Sequence, residues 1–452
     1  MRIAELAGQR VAVWGFGREG RAAIRALQSR LPQLPLALYC RADEADAARA
    51  FAPTLAVHGH EPDAGELAGF DVVVKSPGIS PYQPAVRAAQ DRGTRFTSGT
   101  TLWFAERPDA RVVAVTGTKG KSTTTALIAH LARSLGVRTA LAGNIGVPLL
   151  ELIDERAALW AIELSSFQTG EAGPLELGVI TRLDEEHLDW HGSRERYVAD
   201  KLRLADAART LLLDGTQHEL VARTAVHPDR RLYGTAAGWH VADGAIRRGG
   251  EAVFALAALP LPGLHNAINA CAALAALETL GLDARAAAPA LAGFHALPHR
   301  LQNLGTRDGR EWINDSISTT PPAALAALAS LASREVTLIL GGHDRGLDWH
   351  DFVAAVKHRP RLRIVAQGAS GPRIARALRE GAAEPPLVEV ATLAEAVQAA
   401  RAITPSGGVV LLSPGAPSFD QFRDYAERGR RFAELAGFDT PQTASIDGLG
   451  VA

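Results

Sequence analysis

The chain has 452 residues, 47% of them hydrophobic and 21% charged, with a formal net charge of −1. That length suggests about three domains of ordinary size, in a composition usual for soluble globular proteins. A near-neutral balance leaves no basic surplus to displace counterions, which excludes an ordinary nucleic-acid or polyanion binder.

Two cysteines, Cys40 and Cys271, lie far apart, which gives no disulfide framework and suits the reducing cytoplasm. No stretch approaches ~18 uninterrupted apolar residues, so no membrane span is expected. The opening MRIAELAGQRVAVWGFG runs straight into a strand, without the basic and long apolar segments of a leader.

A first strand is predicted over residues 10–14. It runs into Gly15-Phe16-Gly17-Arg18-Glu19-Gly20, and a helix follows to Arg30. GxGxxG between a strand and a helix offers backbone N–H groups and a helix N-terminus to a diphosphate. Alone the motif is weak, and it leaves NAD open as a ligand. A second strand, 36–39, ends at Cys40, Arg41 and Asp43, where a Rossmann-type sheet reads a ribose or base. The strand 71–75 ends in Ser76-Pro77-Gly78-Ile79-Ser80. Such small residues either line a ligand crevice or simply terminate the strand. The charged, proline-containing stretch 105–111 reads as a linker.

The second segment opens with VVAVTGTKGKSTTT, residues 112–125. Val112 to Val115 read as a buried parallel strand, Gly117 and Gly120 allow a tight wrap, and a helical period runs from Thr123. Strand, glycine-rich turn and helix N-terminus form a cradle for phosphate. Lys121 would reach a β/γ-phosphate and the Ser122 hydroxyl a Mg²⁺ ion. The outer glycine of GxxxxGK[ST] falls on Val115, so the match is incomplete. After the helix, Leu141-Ala-Gly143-Asn144-Ile-Gly146 is another strand-to-turn element. Residues 159–163 form an apolar strand ending in Glu163, the position from which an acid behind a P-loop holds Mg²⁺.

The cluster Glu185-Glu186-His187-Leu-Asp189-Trp190-His191 matches no zinc spacing and gains weight from the nucleotide site expected near it. Lys201, at the start of the amphipathic run KLRLADAART, reads locally as a solvated helix lysine. Residues 211–258 turn to short strands without a catalytic cluster. His265, Asn266 and Asn269 then share the first turn of a helix, where capping accounts for one asparagine more readily than for both.

The third segment begins near Pro298-His299-Arg300. A strand at 311–314 leads to Asp315-Ser316-Ile317-Ser318-Thr319-Thr320 and a proline-started helix. Strands at 336–340, 362–366 and 409–412 alternate with alanine-rich helices, giving a third α/β unit. Two of these strands end in polar turns, one carrying Arg345, a carboxylate fork or a plain surface arginine, and one carrying Ser418, Phe419 and Asp420. Three α/β units, a P-loop, an acidic strand end and a His–Lys cluster point to ATP chemistry on a small molecule. An NAD-dependent oxidoreductase built on the first glycine turn, or a non-catalytic binding module, stays open.

Taken together, TGTKGKSTTT, GNIG, ELSSFQ, EEHLDWHG, LPGLHNxxN, LPHR, NDSISTT and LLSPGAPSFDQF span essentially the whole chain in one order. As a set they resemble the Mur ligases of peptidoglycan precursor synthesis, most of all the glutamate-adding, MurD-type members that act on UDP-N-acetylmuramoyl-L-alanine. The resemblance implies a monomeric cytoplasmic enzyme of three α/β domains. These are a Rossmann-like UDP-substrate domain over 1–108, a P-loop ATP domain over 109–298 and a C-terminal domain over 299–452 that binds glutamate and completes the ATP site.

It also implies that ATP phosphorylates the alanyl carboxylate and that the glutamate amine displaces phosphate. On this reading Lys121 stabilises the γ-phosphoryl group within an ATP site of Gly117, Thr118, Lys119, Gly120, Ser122 and Thr123. Ser122 and Glu163 hold one Mg²⁺, while His187 and a carbamylated Lys201 support a second. Asn266, Asn269 and Asp315 meet adenosine and Arg300 the phosphates. Gly15 to Glu19, Arg41, Ser76, Pro77, Gly78 and Asn144 take the UDP-substrate. Thr319, Arg345, Ser418 and Tyr425 surround glutamate. Where D-glutamate enzymes usually show DSKATN, this chain has DSISTT, with Ile317 in place of lysine, Arg345 in GGHDRG, and Tyr425 where phenylalanine is common. Those departures look more like the variant that adds L-glutamate and relies on a separate epimerase.

Overall fold

The computed structural model describes the chain except for residues 184–192, 262, 296 and 440–448. It divides into two compact units, Met1–Pro260 with Leu264–Phe294 and Gly448–Ala452, and Leu261–Gly263 with His295–Asp447. The fold is α/β, built on three mainly parallel sheets.

The first unit holds two of them. One has five parallel strands in the order Ala56–His58, Leu36–Tyr39, Val11–Trp14, Val72–Lys75 and Arg95–Thr97. The central pair, VAVW and VVVK, is buried throughout, as a strand covered on both faces must be, and this is why these stretches read as unbroken apolar runs. The other sheet runs Arg230–Tyr233, Ala208–Asp214, Leu175–Ile180, Val112–Thr116, Leu159–Glu163, Thr139–Gly143, with Gly450–Val451 added antiparallel on the last edge. A small antiparallel sheet of Trp239–Ala242, Ala245–Arg248 and Glu251–Ala255 stands apart.

The two large sheets of this unit share one apolar core, in which Trp103 packs edge-on against Trp160. Polar ties supplement it. Tyr82 donates to Asp200 at 2.7 Å, and Lys75 pairs with Glu171 at 3.3 Å, both side chains largely buried. The second unit has a six-stranded sheet, Gln302–Arg307, Arg310–Asn314, Val409–Leu412, Val336–Leu340, Leu362–Ala366 and Leu387–Glu389. All its pairings are parallel except the first.

Local expectations shift in three places. The P-loop helix spans Lys121–Ser134, so it starts two residues before Thr123. The helix Gly99–Glu106 takes in the first two residues of the expected linker. The strand Ala208–Asp214 belongs to the central parallel sheet and not to a run of short strands. Among the described residues no helix is long and apolar enough to cross a membrane.

The first glycine turn is set by backbone proximity. A Cβ on Gly20 would lie 1.9 Å from the Gly15 carbonyl oxygen, and one on Gly15, at φ 104°, would lie 2.5 Å from Ser76 Oγ. Gly20→Ala is therefore expected to destabilise the protein by on the order of 2 kcal/mol, seen as a lower midpoint in thermal unfolding. An unchanged midpoint would mean that the turn relaxes freely.

Candidate active site

Strand register assembles the site in the first unit. Val115 pairs with Glu163 and Thr116 with Ile180, while Gly143 pairs with Glu163 on the far side. The carboxyl ends of four neighbouring strands thus bring the GNIG turn, Glu163, the P-loop and Thr181 to one rim, where open α/β sheets take their ligands.

Two glycines let the P-loop close on its neighbours. A Cβ on Gly117, at φ 144°, would fall 2.1 Å from Thr181 Oγ1. One on Gly120, at φ 85°, would fall 2.3 Å from Asn269 Oδ1. Gly120 is the N-cap of the helix that Lys121 opens. Lys121 Nζ donates to the Thr118 carbonyl at 3.0 Å, folding the side chain back over the loop. The Thr118 hydroxyl lies 2.8 Å from Tyr197 Oη, and the Lys119 carbonyl accepts from Thr181 Oγ1 at 2.6 Å. Ser122 is buried and Thr123 half-buried in the first helical turn. Asn266 and Asn269 are both buried, with an amide contact of 3.3 Å between them. Asn269 stands against Gly120, and Asn266 is coupled to it through that contact.

Glu163 is 1% exposed. Its Oε1 accepts from Asn144 Nδ2 at 2.7 Å, whereas Oε2 is buried and meets no hydrogen-bond donor among the described residues. Leaving a buried acceptor unmet is costly. Among the described residues no group of three His, Cys, Asp or Glu side chains could hold a metal by itself. A carboxylate oxygen and a serine hydroxyl beside a phosphate cradle suit Mg²⁺, which takes few protein ligands and completes its shell with phosphate and water.

Lys201 departs from its local reading. It sits inside the helix Arg194–Ala207 and is 2% exposed, its Nζ donating to the Gly117 carbonyl at 2.8 Å and lying 4.9 Å from the Tyr197 ring centroid. The run KLRLADAART looked amphipathic with a charged start because the P-loop backbone that receives the lysine lies far away in sequence. His187, with its acidic neighbours, lies outside the described residues.

The first glycine turn is a second candidate pocket. Ser76 Oγ is buried beside Gly15 and meets no hydrogen-bond partner among the described residues. Phe16 is buried against Phe51, so it offers the turn its backbone. Arg18 donates to the Gly146 carbonyl at 3.0 Å, joining this turn to the GNIG turn that carries Asn144. Pro77 and Gly78 form the turn after Ser76 and keep solvent access, and Gly17 is open. Arg41 is exposed at the end of its strand, with its fork on Asp43 at 3.0 Å. Glu19 opens the helix after the turn. Burial, reinforced by the nearby Glu171 charge, pushes its carboxyl up to about 7.

In the second unit, Asp315 is buried and accepts from Leu301 N at 3.1 Å, Ser318 Oγ at 2.5 Å and Ser413 Oγ at 2.7 Å. Burial raises its pKa, while those three donors act against the rise. Arg300 stands between His299 and Leu301, both at positive φ (64° and 44°), a strained backbone of the kind found where a side chain must be aimed. Thr319 is half-buried, Ser418 buried, and Tyr425 begins the helix Tyr425–Ala436.

Arg428 was not singled out by the sequence reading. It is fully buried and donates to the carbonyls of Ala416, Pro417 and Ser316 and to Ser316 Oγ, all at 2.8–3.0 Å. It thereby ties the Asp315 turn to the Ser418 turn. Its signal was available: Arg428, Phe432 and Ala436 recur at i, i+4 and i+8 on the buried face of one helix.

Residues 115–277 match the family model of the Mur ligase middle domain and residues 299–415 that of the Mur ligase glutamate ligase domain. A UDP-N-acetylmuramoyl-L-alanine–L-glutamate ligase of Xanthomonas axonopodis pv. citri is 51% identical, with all of both chains covered. Solved structures share the fold, two of them as follows. UDP-N-acetylmuramate–alanine ligase MurC of Thermotoga maritima has a TM-score of 0.62 at 20% identity, covering 94% of this chain and 98% of its own. MurF ligase of the same organism, in complex with ADP, has a TM-score of 0.57 at 15% identity, covering 81% and 93%.

Because the folded state holds Glu19 in its neutral form, ionising it costs stability. Its contribution is intact below the ordinary value of 4.5 and is lost as pH rises towards about 7. Glu19→Gln is expected to leave the thermal midpoint near that of the parent at pH 5. At pH 8 it should raise stability by at most roughly 3 kcal/mol, less for the solvent access Glu19 keeps. A difference that does not vary with pH would overturn this.

Proposed function

The chain belongs to the Mur ligase family, and from that premise we propose that it is the member that adds L-glutamate. It is an ATP-dependent amide ligase of peptidoglycan precursor synthesis, joining glutamate to UDP-N-acetylmuramoyl-L-alanine. The full-length likeness to a ligase named for L-glutamate carries the choice of handedness. Ile317, Arg345 and Tyr425 support it, since they alter charge and packing where the D-glutamate enzymes carry lysine and phenylalanine.

The proposed roles follow from what each group is able to do. Gly15 to Glu19, Arg41, Ser76 to Gly78 and Asn144 receive the UDP-substrate within residues 1–108 and the adjoining GNIG turn. Ser76 Oγ, unmet in its buried position, is a donor aimed at that ligand. Residues 109–298 bind ATP. There the backbone N–H groups of Gly117 to Thr123 surround the phosphates, and Lys121 swings from the Thr118 carbonyl to offset negative charge on the transferred phosphoryl group. Asn266 and Asn269 serve adenosine.

Within 299–452, Asp315 also serves adenosine and Arg300 the phosphates, while Thr319, Arg345, Ser418 and Tyr425 hold glutamate. The alanyl carboxylate accepts the γ-phosphoryl group, the glutamate amine attacks the resulting acyl phosphate, and phosphate leaves. When bound, Mg²⁺ would neutralise phosphate charge as a Lewis acid. Glu163 Oε2 and Ser122 would hold one such ion, and His187 with a carbamylated Lys201 a second. The proposal includes a cytoplasmic location, where its small soluble substrates are found, and a monomer working ahead of a separate epimerase.

Phosphate release from ATP with UDP-N-acetylmuramoyl-L-alanine and each glutamate enantiomer separately tests this reading. Turnover is expected with L-glutamate, and turnover with D-glutamate alone would return the chain to the ordinary branch. Lys121→Met should lower kcat at least ~100-fold, the order of losing one preorganised charge contact. A carbamate on Lys201 should give a carbon-13 signal after exchange with labelled bicarbonate that is absent from Lys201→Arg; identical spectra would remove the carbamate.

A further inference from the structure

The second unit carries an exposed aromatic ring with a guanidinium assigned to glutamate over it. The strands Val336–Leu340 and Val409–Leu412 are parallel neighbours, so the turns that follow them leave the same end of the sheet. Backbone bonds tie these turns together. Gly341 N donates to the Pro414 carbonyl and His343 N to the Pro417 carbonyl, both at 2.8 Å. On this double turn the Arg345 guanidinium lies 5.7 Å from the centroid of the Phe419 ring, and the His343 ring meets the same ring edge-on at 6.3 Å.

Phe419 is 57% exposed, the one aromatic among the large exposed hydrophobic side chains of the described residues. Its ring gives little to the core. Asp344 does not occupy Arg345 either, because it takes Arg373 at 2.9 Å and the Gly346 N–H at 2.8 Å. A planar guanidinium resting on a ring face keeps its N–H edge free for the paired oxygens of a carboxylate.

We propose that Phe419 is a positioning residue that sets specificity for a dicarboxylic amino acid. Its ring holds the Arg345 fork in place to take the side-chain carboxylate of the incoming substrate. Phe419 acts through Arg345, and the inference rests on the assignment of Arg345 to glutamate.

Steady-state kinetics of the full chain test it with Phe419→Leu, Phe419→Tyr, Arg345→Ala and the double variant Arg345→Ala/Phe419→Leu. Phe419→Leu should raise KM for glutamate about three- to fivefold, the scale of an exposed cation–π contact. It should leave kcat, the KM for ATP and the thermal midpoint as in the parent, while Phe419→Tyr, which keeps the ring face, restores the parent KM. Arg345→Ala should raise KM further, and adding Phe419→Leu to it should change nothing more, since the ring then has no cation to hold.

A parental KM in Phe419→Leu beside a raised KM in Arg345→Ala would overturn the inference and leave the glutamate site standing. Additive effects in the double variant would also overturn it, by showing that Phe419 acts independently of Arg345. A parental KM for glutamate in Arg345→Ala would remove the underlying assignment instead.

Discussion

One carboxylate places the tightest demand on the first unit. Glu163 is taken out of water at the end of a fully buried strand, with one oxygen satisfied by Asn144 and the other without a donor among the described residues. Leaving a buried acceptor unmet is costly, and the elements around Glu163 are held close by strand register. The strand order puts the P-loop on one side of Glu163 and the GNIG turn on the other. The Arg18 contact to Gly146 then extends the same arrangement to the glycine turn of the first sheet. A buried acid, the glycine-rich loop beside it and the first glycine turn are therefore parts of one polar system within a single compact unit.

The second unit solves a related problem with the opposite charge. Arg428 is buried without a carboxylate in hydrogen-bond reach among the described residues, and desolvation lowers its pKa to about 10. Carbonyl dipoles and one serine hydroxyl stabilise the guanidinium, which ties two separated backbone segments, at Ser316 and at Ala416–Pro417. Asp315 lies next to Ser316 in this frame and draws hydrogen bonds from two further segments. Rigid neighbours of this kind hold a binding side chain in place without touching the ligand.

Much of this was legible in the chain. Strands such as Leu36–Tyr39, Val336–Leu340, Leu362–Ala366 and Val409–Leu412 fall where apolar runs between turns put them, because strands covered on both faces leave an unbroken signal. Glu163, the P-loop and the paired asparagines were visible because strand–turn–helix punctuation fixes their local setting. What stayed hidden depends on partners distant in sequence. Lys201, given a role only by the resemblance, reads locally as solvated because the Gly117 carbonyl that receives it lies 84 positions away, and Asn144 gave no local hint that it steadies Glu163. Glu19 looked like one polar letter of GxGxxG, and its raised pKa comes from burial and from Glu171, 152 positions further on. The His187 cluster is assigned by family resemblance alone.

The antiparallel strand Gly450–Val451 carries a consequence for how the chain folds. Arg133 reaches the Gly450 carbonyl across 317 positions, and the same strand closes the Thr139–Gly143 edge of the sheet that bears the P-loop. A whole compact unit, His295–Asp447, is synthesised between those partners. On the ribosome the central sheet must therefore wait with one edge open while the second unit emerges. An unpaired edge is a template for association with other chains, and long-range closure of this kind is slow. The late closing strand makes the nascent chain, more than the finished protein, the species at risk of aggregation.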